Sequence, residues 1–290
     1  MPNVSGKVVL ITGGARGIGA ETARELAKRG AKLALVGLEP EELAKVTAEL
    51  GEGHFWAEAD VTDPDSLQAA VNAATAKFGR IDAAIANAGI APLGSVRESD
   101  PRGFLKTMDV NVNGVFHTAR AVMPELAASK GYLLVVSSLS AFAPIGGMAA
   151  YTASKAASEA FASALRMEVL HLGVSVGSAH PSWIDTDLVR EVAGDLKTFT
   201  EMRKRLPWPM RAITTPDACA RAFANAIERR KRRVYVPRGV MLMHWLRNLP
   251  GSALVELFMR RQLIKLIPQL EQEVRDLGRY MSERNQKLNS

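Results

Sequence analysis

A tyrosine and a lysine four residues apart, Tyr151 and Lys155, begin the longest continuous helical pattern in the chain. A spacing of i, i+4 brings both side chains to one face of a helix. A free tyrosine titrates near pH ~10, which is too high for a base at neutral pH, whereas a neighbouring ammonium stabilises the phenolate and lowers that pKa. The pair therefore predicts acid–base chemistry on an alcohol or carbonyl oxygen.

A glycine-rich segment lies between the first apolar run and the first helical pattern, and it reads Thr12-Gly13-Gly14-Ala15-Arg16-Gly17-Ile18-Gly19. Its glycines allow the backbone to turn tightly and to approach a diphosphate, while the following helix N-terminus offers free N–H donors. An ordinary turn also collects glycine, but the position between a strand and a helix favours a nucleotide site.

Apolar runs alternate with amphipathic stretches of helix length. The predicted strands are Lys7–Thr12, Lys32–Val36, His54–Ala59, Ala83–Ala86, Tyr132–Ser137, Val174–Ala179 and Arg233–Val236. The predicted helices are Ile18–Arg29, Glu41–Leu50, Ser66–Phe78, Pro101–Ala128, Tyr151–Leu170 and Pro216–Arg230. Several strands are continuous Val/Ile/Leu/Ala runs, which are typical of strands covered on both faces. The alternation predicts an α/β fold with a doubly wound, seven-stranded parallel sheet and helices on both faces.

The glycine spacing, followed in order by Asn87-Ala88-Gly89, Ser138 and the Tyr151/Lys155 pair, resembles the short-chain dehydrogenase/reductase family in its shorter, non-extended branch. The resemblance covers roughly residues 5–237. It implies a Rossmann-type catalytic domain over 1–237, followed by a basic, apolar helical extension over 238–290. It also implies an NAD(P)-dependent oxidoreductase.

The resemblance assigns four catalytic residues: Ser138 orients the substrate, Tyr151 is the acid/base, Lys155 tunes it, and Asn111 supports a proton relay. Asn113 is a competing candidate for that last role. The cofactor-binding residues that it implies are Thr12, Gly13, Arg16, Gly17, Ile18, Gly19, Asp60, Val61, Asn87, Ala88, Gly89, Tyr151, Lys155, Pro181, Ile184 and Thr186. Read alone, Asp60 could be a helix cap and Asn87 a turn residue. Ser182 departs from the family, which has glycine after this proline.

The end of the second strand bears on the choice of cofactor. Gly37 occupies the position where NAD-dependent relatives place an aspartate, and Arg16 lies where relatives that use NADP carry a basic residue. A guanidinium suits a 2′-phosphate through forked, charge-assisted contacts. Glu39 could instead reach a ribose hydroxyl. We therefore expect NADP(H) to be favoured, with NAD(H) open.

Positions that face the substrate in this family are apolar here. The predicted substrate-binding residues are Ser138, Phe142, Met148, Tyr151, Trp183 and Leu188, with Leu139, Ile145 and Trp208 nearby. They favour a hydrophobic alcohol or ketone over a sugar or an acyl thioester. The alternative is that several of them pack a lid onto the core. That lid is predicted in the irregular stretch 187–215.

Composition excludes several classes of protein. A chain of 290 residues that is 47% hydrophobic and 23% charged is typical of a packed globular protein rather than a disordered one. The single cysteine, Cys219, excludes a disulfide framework and a cysteine-rich zinc site, and it fits a reducing compartment. We expect a cytoplasmic protein without a bound metal.

The formal charge of +7 is concentrated in the tail, because residues 229–290 carry 14 Lys or Arg against 5 Asp or Glu. Arginines beside Trp245 and an apolar helical pattern predict possible peripheral membrane contact through 238–290. The alternative is that these helices cover the core or a partner subunit. No nucleic-acid reader motif accompanies the basic run, so nucleic acid is not an expected partner. The family resemblance implies a homodimer or homotetramer.

The sequence thus predicts hydride transfer between a nicotinamide cofactor and a secondary alcohol or carbonyl. Two other classes remain open: a dinucleotide-sensing binding protein without turnover, and a membrane-interface protein acting through its tail. The complete set Asn111, Ser138, Tyr151 and Lys155 argues against a sensor, because binding alone needs no tuned phenol.

Overall fold

The computed structural model describes residues 3–206, 210–249, 252–279 and 281–288, and within them a parallel seven-stranded sheet forms the centre. In chain order the strands are β1 Val8–Thr12, β2 Lys32–Gly37, β3 Phe55–Glu58, β4 Ala83–Ala86, β5 Tyr132–Val136, β6 Ser175–Pro181, β7 Trp183–Ile184, β8 Ile213–Thr214 and β9 Arg233–Val236. The order across the sheet is β3-β2-β1-β4-β5-β6-β9, while β7 and β8 pair separately. The prediction of a doubly wound sheet is confirmed.

Helices cover both faces of the sheet. They are α1 Gly17–Lys28, α2 Pro40–Leu50, α3 Pro64–Phe78, α4 Pro101–Met108, α5 Gly114–Ser129, α6 Ala149–Glu168, α7 Asp187–Asp195, α8 Lys197–Lys204, α9 Pro216–Arg229, α10 Val240–Trp245, α11 Ala253–Leu277 and α12 Glu283–Leu288. Apolar residues of α1, α2 and α9 pack on one face, and those of α3, α5 and α6 pack on the other. Because both faces are covered, the central strands can be continuously apolar.

The register of the sheet brings the carboxyl ends of the strands to one edge. Thr12 pairs with Val36, and Val136 pairs with Ala179, each near the end of its strand. Loops that follow such aligned ends converge in the crevice where open α/β sheets bind ligands.

The helix predicted over Pro101–Ala128 is interrupted by a π-helical turn over Asp109–Asn113, which joins α4 to α5. π-Helical turns are rare in proteins overall, and those that occur are often found at functional sites. The stretch predicted to be irregular, 187–215, contains α7 and α8. Helices of 9 and 8 residues are too short to establish a clear apolar period, which explains the difference.

The C-terminal extension packs onto the sheet-containing core. Leu266, Leu270 and Val274 on α11 are buried in a cluster with Leu139 and Trp183. Within the described ranges, none of the helices combines the length and the apolar character needed to cross a bilayer.

Candidate active site

Tyr151 and Lys155 lie on the first turns of α6, at the carboxyl edge of the sheet. The Lys155 Nζ atom lies 5.7 Å from the centroid of the Tyr151 ring and donates a hydrogen bond to the Val136 carbonyl at 3.0 Å. Burial lowers the pKa of Lys155 to about 8. Burial also raises the pKa of Tyr151, and the neighbouring Ser138 hydroxyl opposes that rise. The Lys155 ammonium therefore lies next to the Tyr151 phenol, and its positive charge favours the ionised form of that phenol.

Ser138 follows β5, and its hydroxyl is buried at the same edge. The Ser138 Oγ atom lies 2.8 Å from Ser140 Oγ and accepts a hydrogen bond from the Ser140 N–H at 3.2 Å. Ser137, by contrast, donates its hydroxyl to the Lys155 carbonyl at 2.7 Å, which fixes α6 to the end of β5. Both serines line the site, Ser137 in the cleft and Ser138 in the adjoining cavity, but only Ser137 also fixes the helix that carries Tyr151.

Asn111 lies in the π-helical turn and is fully buried. Its side-chain amide spans the backbone of Ile90, accepting from the N–H and donating to the C=O, both at 2.9 Å, and it also donates to Ser154 Oγ at 2.9 Å. A Cβ placed on Gly89 would lie 3.2 Å from both Asn111 Oδ1 and Lys155 Nζ, so these two groups converge. Asn113 is exposed and donates to Asp109, away from the site.

The glycine loop packs against the segment that follows β4. A Cβ on Gly13, which has φ +66°, would meet Ala88 Cα at 2.9 Å, and a Cβ on Gly19 would clash with the Gly13 carbonyl oxygen. Asn87 donates its amide to the carbonyls of Thr12 and Gly13 at 3.0 and 3.1 Å. Larger residues therefore cannot replace these glycines without displacing backbone.

A cleft of about 250 Å³ runs along the carboxyl edge, from the second strand to α6. Of the predicted cofactor-binding residues, those that line it are Gly13, Arg16, Gly17, Ile18, Asp60, Val61, Asn87, Ala88, Gly89, Tyr151, Lys155, Pro181, Ile184 and Thr186. Thr12, at the end of β1, and Gly19, in α1, do not line it. The Thr12 hydroxyl accepts a hydrogen bond from the Asn87 N–H at 3.1 Å, so Thr12 positions the loop.

At one end of the cleft Arg16 is paired with acidic residues. Its Nε lies 2.7 Å from Glu39 Oε1, and its Nη2 lies 3.3 Å from Glu42 Oε1. Gly37 stands beside them, and a Cβ there would have its nearest neighbours at 3.9 Å. Two carboxylates thus offset one guanidinium at the position predicted for the adenosine ribose.

The family of the protein follows from comparison with known sequences. The sequence profile described as short chain dehydrogenase matches residues 7–197, which contain the glycine loop and the whole Asn–Ser–Tyr–Lys set. The chain belongs to the short-chain dehydrogenase family. A 3-alpha-(or 20-beta)-hydroxysteroid dehydrogenase of Mycobacterium tuberculosis is 34% identical over 192 residues, which cover 66% of this chain and 74% of the relative.

Two solved structures of dehydrogenases and reductases superpose on the fold. A 3-ketoacyl-(acyl-carrier-protein) reductase from Brucella melitensis, complexed with NADH, has a TM-score of 0.74 and 28% identity, covering 81% of this chain and 98% of that one. An alcohol dehydrogenase from Thermococcus sibiricus, complexed with 5-hydroxy-NADP, has a TM-score of 0.68 and 26% identity, covering 79% and 94%. This short-chain dehydrogenase is accordingly an oxidoreductase with a nicotinamide dinucleotide site.

A second, smaller cavity of about 70 Å³ adjoins the cleft at Tyr151. The predicted residues that line it are Ser138, Leu139, Ile145, Met148, Tyr151, Trp183 and Leu188. None of the described residues around it carries a charge. Trp208 lies outside the described residues.

Phe142 does not line this cavity, although it was predicted to bind substrate. Its ring is buried behind the wall, 5.2 Å from the rings of both His180 and His244. Burial lowers the pKa of His180 to about 3, so this histidine is neutral and serves as packing in the same aromatic cluster. The turn after Ser138 points the Phe142 ring away from the cavity and toward these histidines, and the position of Phe142 in the sequence did not indicate that direction.

Besides the predicted Leu188 on α7, further residues of α7, α8, the residue between them and the C-terminal extension line the site. In the apolar cavity they are Val189, Val192, Leu196, Phe199 and Leu270. In the cleft they are Asp187, Val189, Arg284, Asn285 and Leu288. The sequence does contain a signal for the packing of the extension. Apolar residues recur every three or four positions at Leu263, Ile267, Leu270 and Val274, which is typical of a helix that packs on one face.

Proposed function

We propose that this short-chain dehydrogenase interconverts a secondary alcohol and a carbonyl on an apolar substrate. The observation that carries the proposal is the position of Tyr151, which lines both the dinucleotide cleft and the uncharged cavity and lies next to Lys155. The relative named as a hydroxysteroid dehydrogenase supports an apolar alcohol as the substrate class.

The residues of the cleft fit a dinucleotide. Gly13 and Gly17 line the cleft and give it a surface without side chains, as a diphosphate requires. The N-terminus of α1 follows directly and supplies N–H donors for an anion. The fit thus rests on the shape and the donors of this loop.

When bound, a nicotinamide ring accepts or supplies the hydride. In the direction of oxidation, Tyr151 takes the proton of the alcohol as the carbon loses its hydride, and in reduction it returns a proton to the carbonyl oxygen. The Lys155 ammonium stabilises the phenolate in the first case. Ser138 offers its hydroxyl to the same oxygen and stabilises the charge that develops there.

Asn111 is proposed to support the proton relay beyond Lys155. The convergence of its amide oxygen with Lys155 Nζ above Gly89 supports this role. Its hydrogen bonds to Ile90 and Ser154 hold the π-helical turn in place, so the amide is positioned before substrate binds.

We propose a modest preference for NADP(H). Gly37 presents no carboxylate that would repel a 2′-phosphate, and Arg16 lines the cleft. Glu39 and Glu42 offset the charge of Arg16, however, so the preference should be small and NAD(H) should also be used. The ratio of the dissociation constants of NADPH and NADH measures this preference directly.

We also propose that the protein forms a homodimer or homotetramer through the helices that carry Asn111 and Tyr151. Large apolar side chains on α4, α5 and α6 are exposed, namely those of Phe104, Leu105, Phe116 and Met167. Burying them against a second copy would remove an apolar patch from water. A monomeric mass in solution, measured by light scattering, would contradict this assembly.

Peripheral membrane contact is a further proposal for the extension. Trp245 is 78% exposed, and Leu242 and Leu249 are about half-exposed near Arg247. This combination suits an anionic lipid surface. Flotation should be stronger with anionic than with neutral vesicles and should be lost in Trp245→Glu. Equal flotation of the variant would contradict it.

We also propose that the protein is cytoplasmic. The free cysteine, Cys219, supports a reducing compartment.

The proposed activity is tested by measuring turnover with each nicotinamide cofactor on apolar secondary alcohols and ketones. Hydroxy and keto acids of matched length, which carry a carboxylate, and acyl thioesters serve as comparisons. We expect activity on the apolar series and at least tenfold less on the carboxylates, because the cavity offers no cation. Dinucleotide binding without turnover on any substrate would instead favour a sensor.

A further inference from the structure

The C-terminal segment of the chain reaches the cofactor cleft from outside the sheet. Met281 is fully buried against Val61, Ile90 and Val110, which line the cleft. From there α12 extends along the cleft and contributes Arg284 to its wall. The segment 281–288 therefore contributes to the wall of the cleft, although it lies outside the matched family region, residues 7–197.

Arg284 lies on the side of the cleft that faces the glycine loop. A Cβ on Gly17 would lie 3.4 Å from Thr186 Cγ2, so the loop and the end of the segment before α7 are neighbours. Asp187 follows Thr186, and its Oδ2 lies 3.7 Å from Arg284 Nη1. Arg284 and Asp187 both line the cleft, so the guanidinium lies beside the segment that contacts the glycine loop.

The ion pairs of Arg284 are loose. Its Nε lies 3.4 Å from Glu191 Oε1, and both this distance and the one to Asp187 exceed the ~2.7–2.9 Å of a charge-assisted hydrogen bond. The Nε atom is buried and makes no hydrogen bond to a described residue, so it is not a donor that a ligand can reach. The side chain is 28% exposed, and its terminal nitrogens are the donors that the cleft offers to a ligand.

We propose that Arg284 is a cofactor-binding residue that donates to the diphosphate of the dinucleotide, so that the segment 281–288 closes the outer side of the cleft. An arginine suits this task because its planar fork matches two phosphate oxygens at once. The inference depends on dinucleotide binding and does not depend on the identity of the substrate.

Arg279 provides a matched control. Both arginines connect the C-terminal segment to α7, since Arg279 pairs with Asp195 as Arg284 does with Asp187 and Glu191. Their side chains are similarly buried, at 21% and 28% exposed. Only Arg284 of the two lines the cleft in the described structure. A role in docking the segment would thus affect both variants, whereas phosphate binding affects one.

The experiment is calorimetric titration of the full-length protein with NADH, NADPH and ADP-ribose. Arg284→Gln should raise all three dissociation constants by about tenfold, the loss of one hydrogen bond to a charged group, and Arg284→Lys should recover part of the affinity. Arg279→Gln should bind as the wild type does. Thermal unfolding of each variant checks that the fold is retained.

Unchanged binding by Arg284→Gln would overturn the inference and leave the proposed function intact. Equal losses in both glutamine variants would assign Arg284 to docking only, and a loss confined to NADPH would assign it to a 2′-phosphate. Either result also overturns it. Failure of the wild type to bind any of the three ligands would contradict the dinucleotide site itself.

Discussion

Replacing Lys155 by methionine should slow oxidation at neutral pH and should move its pH dependence upward. The ammonium lies 5.7 Å from the centre of the Tyr151 ring. With the phenolate charge placed at the ring centre and an effective dielectric of ~20, its attraction to the ammonium is about 3 kcal/mol, or about 2 pKa units. The pKa of Tyr151, already raised by burial, should rise by that amount when the charge is removed.

The assay is the pH profile of kcat/KM for oxidation of an apolar alcohol, in wild type and Lys155→Met. Because the phenolate is the base, the rising limb of the profile should shift upward by about 2 units, and the rate on that limb should fall about 100-fold. Dinucleotide affinity, measured alongside, separates this effect from a loss of binding. A profile with an unchanged midpoint would refute the argument that Lys155 tunes Tyr151.

The same variant should be more stable than the wild type. Burial depresses the folded-state pKa of Lys155 to about 8 from ~10.4 unfolded, which costs the wild type about 3 kcal/mol below pH 8. Above pH 8 the folded lysine is neutral, and the free energy of removing its proton falls as the pH rises, so the cost fades and disappears at ~10.4. The unpaired Val136 carbonyl offsets about 1 kcal/mol of the gain. Denaturant unfolding at pH 7 should show a net gain of about 2 kcal/mol, and a loss of stability would contradict this account.

Two further predictions concern specificity. Gly37→Asp should weaken NADPH binding at least tenfold and favour NADH, because the nearest neighbours of a Cβ there are 3.9 Å away and a carboxylate would repel a 2′-phosphate. Titration with both cofactors checks it, and equal effects on both would contradict it. Leu270→Ala should lower the free energy of unfolding by about 2–4 kcal/mol and should improve kcat/KM for bulkier ketones relative to small ones, because it enlarges the apolar cavity. Ile264→Ala, on the exposed side of α11, is the control and should leave substrate selectivity unchanged.

The fold and the reacting groups were predictable because their signals are local. The Tyr151–Lys155 spacing, the glycine segment and the continuous apolar strands each follow from a few neighbouring residues, and the structure brings Ser138 and Asn111 to the same edge. A resemblance to a family supplied the roles of those last two, which no spacing could have given.

The walls of the site were less predictable because they depend on contacts between distant parts of the chain. Leu270 meets Met148 and Trp183 at the cavity only after α11 folds back over α8. Phe142 was misplaced for a related reason, since the direction of one turn decides whether its ring faces the cavity or His180. Nothing in the local sequence indicated that Arg284 lines the cleft, because it is one of many basic residues in the tail.

The most direct test of the central claim is single-turnover hydride transfer by Tyr151→Phe, followed by nicotinamide absorbance after mixing enzyme and cofactor with an apolar alcohol that the wild type oxidises. We predict a rate at least 1000-fold below the wild type, within the range that general acid–base catalysis contributes, with dinucleotide affinity nearly unchanged. A variant that transfers hydride at close to the wild-type rate would show that Tyr151 is not the acid–base group, and the proposed mechanism would fail.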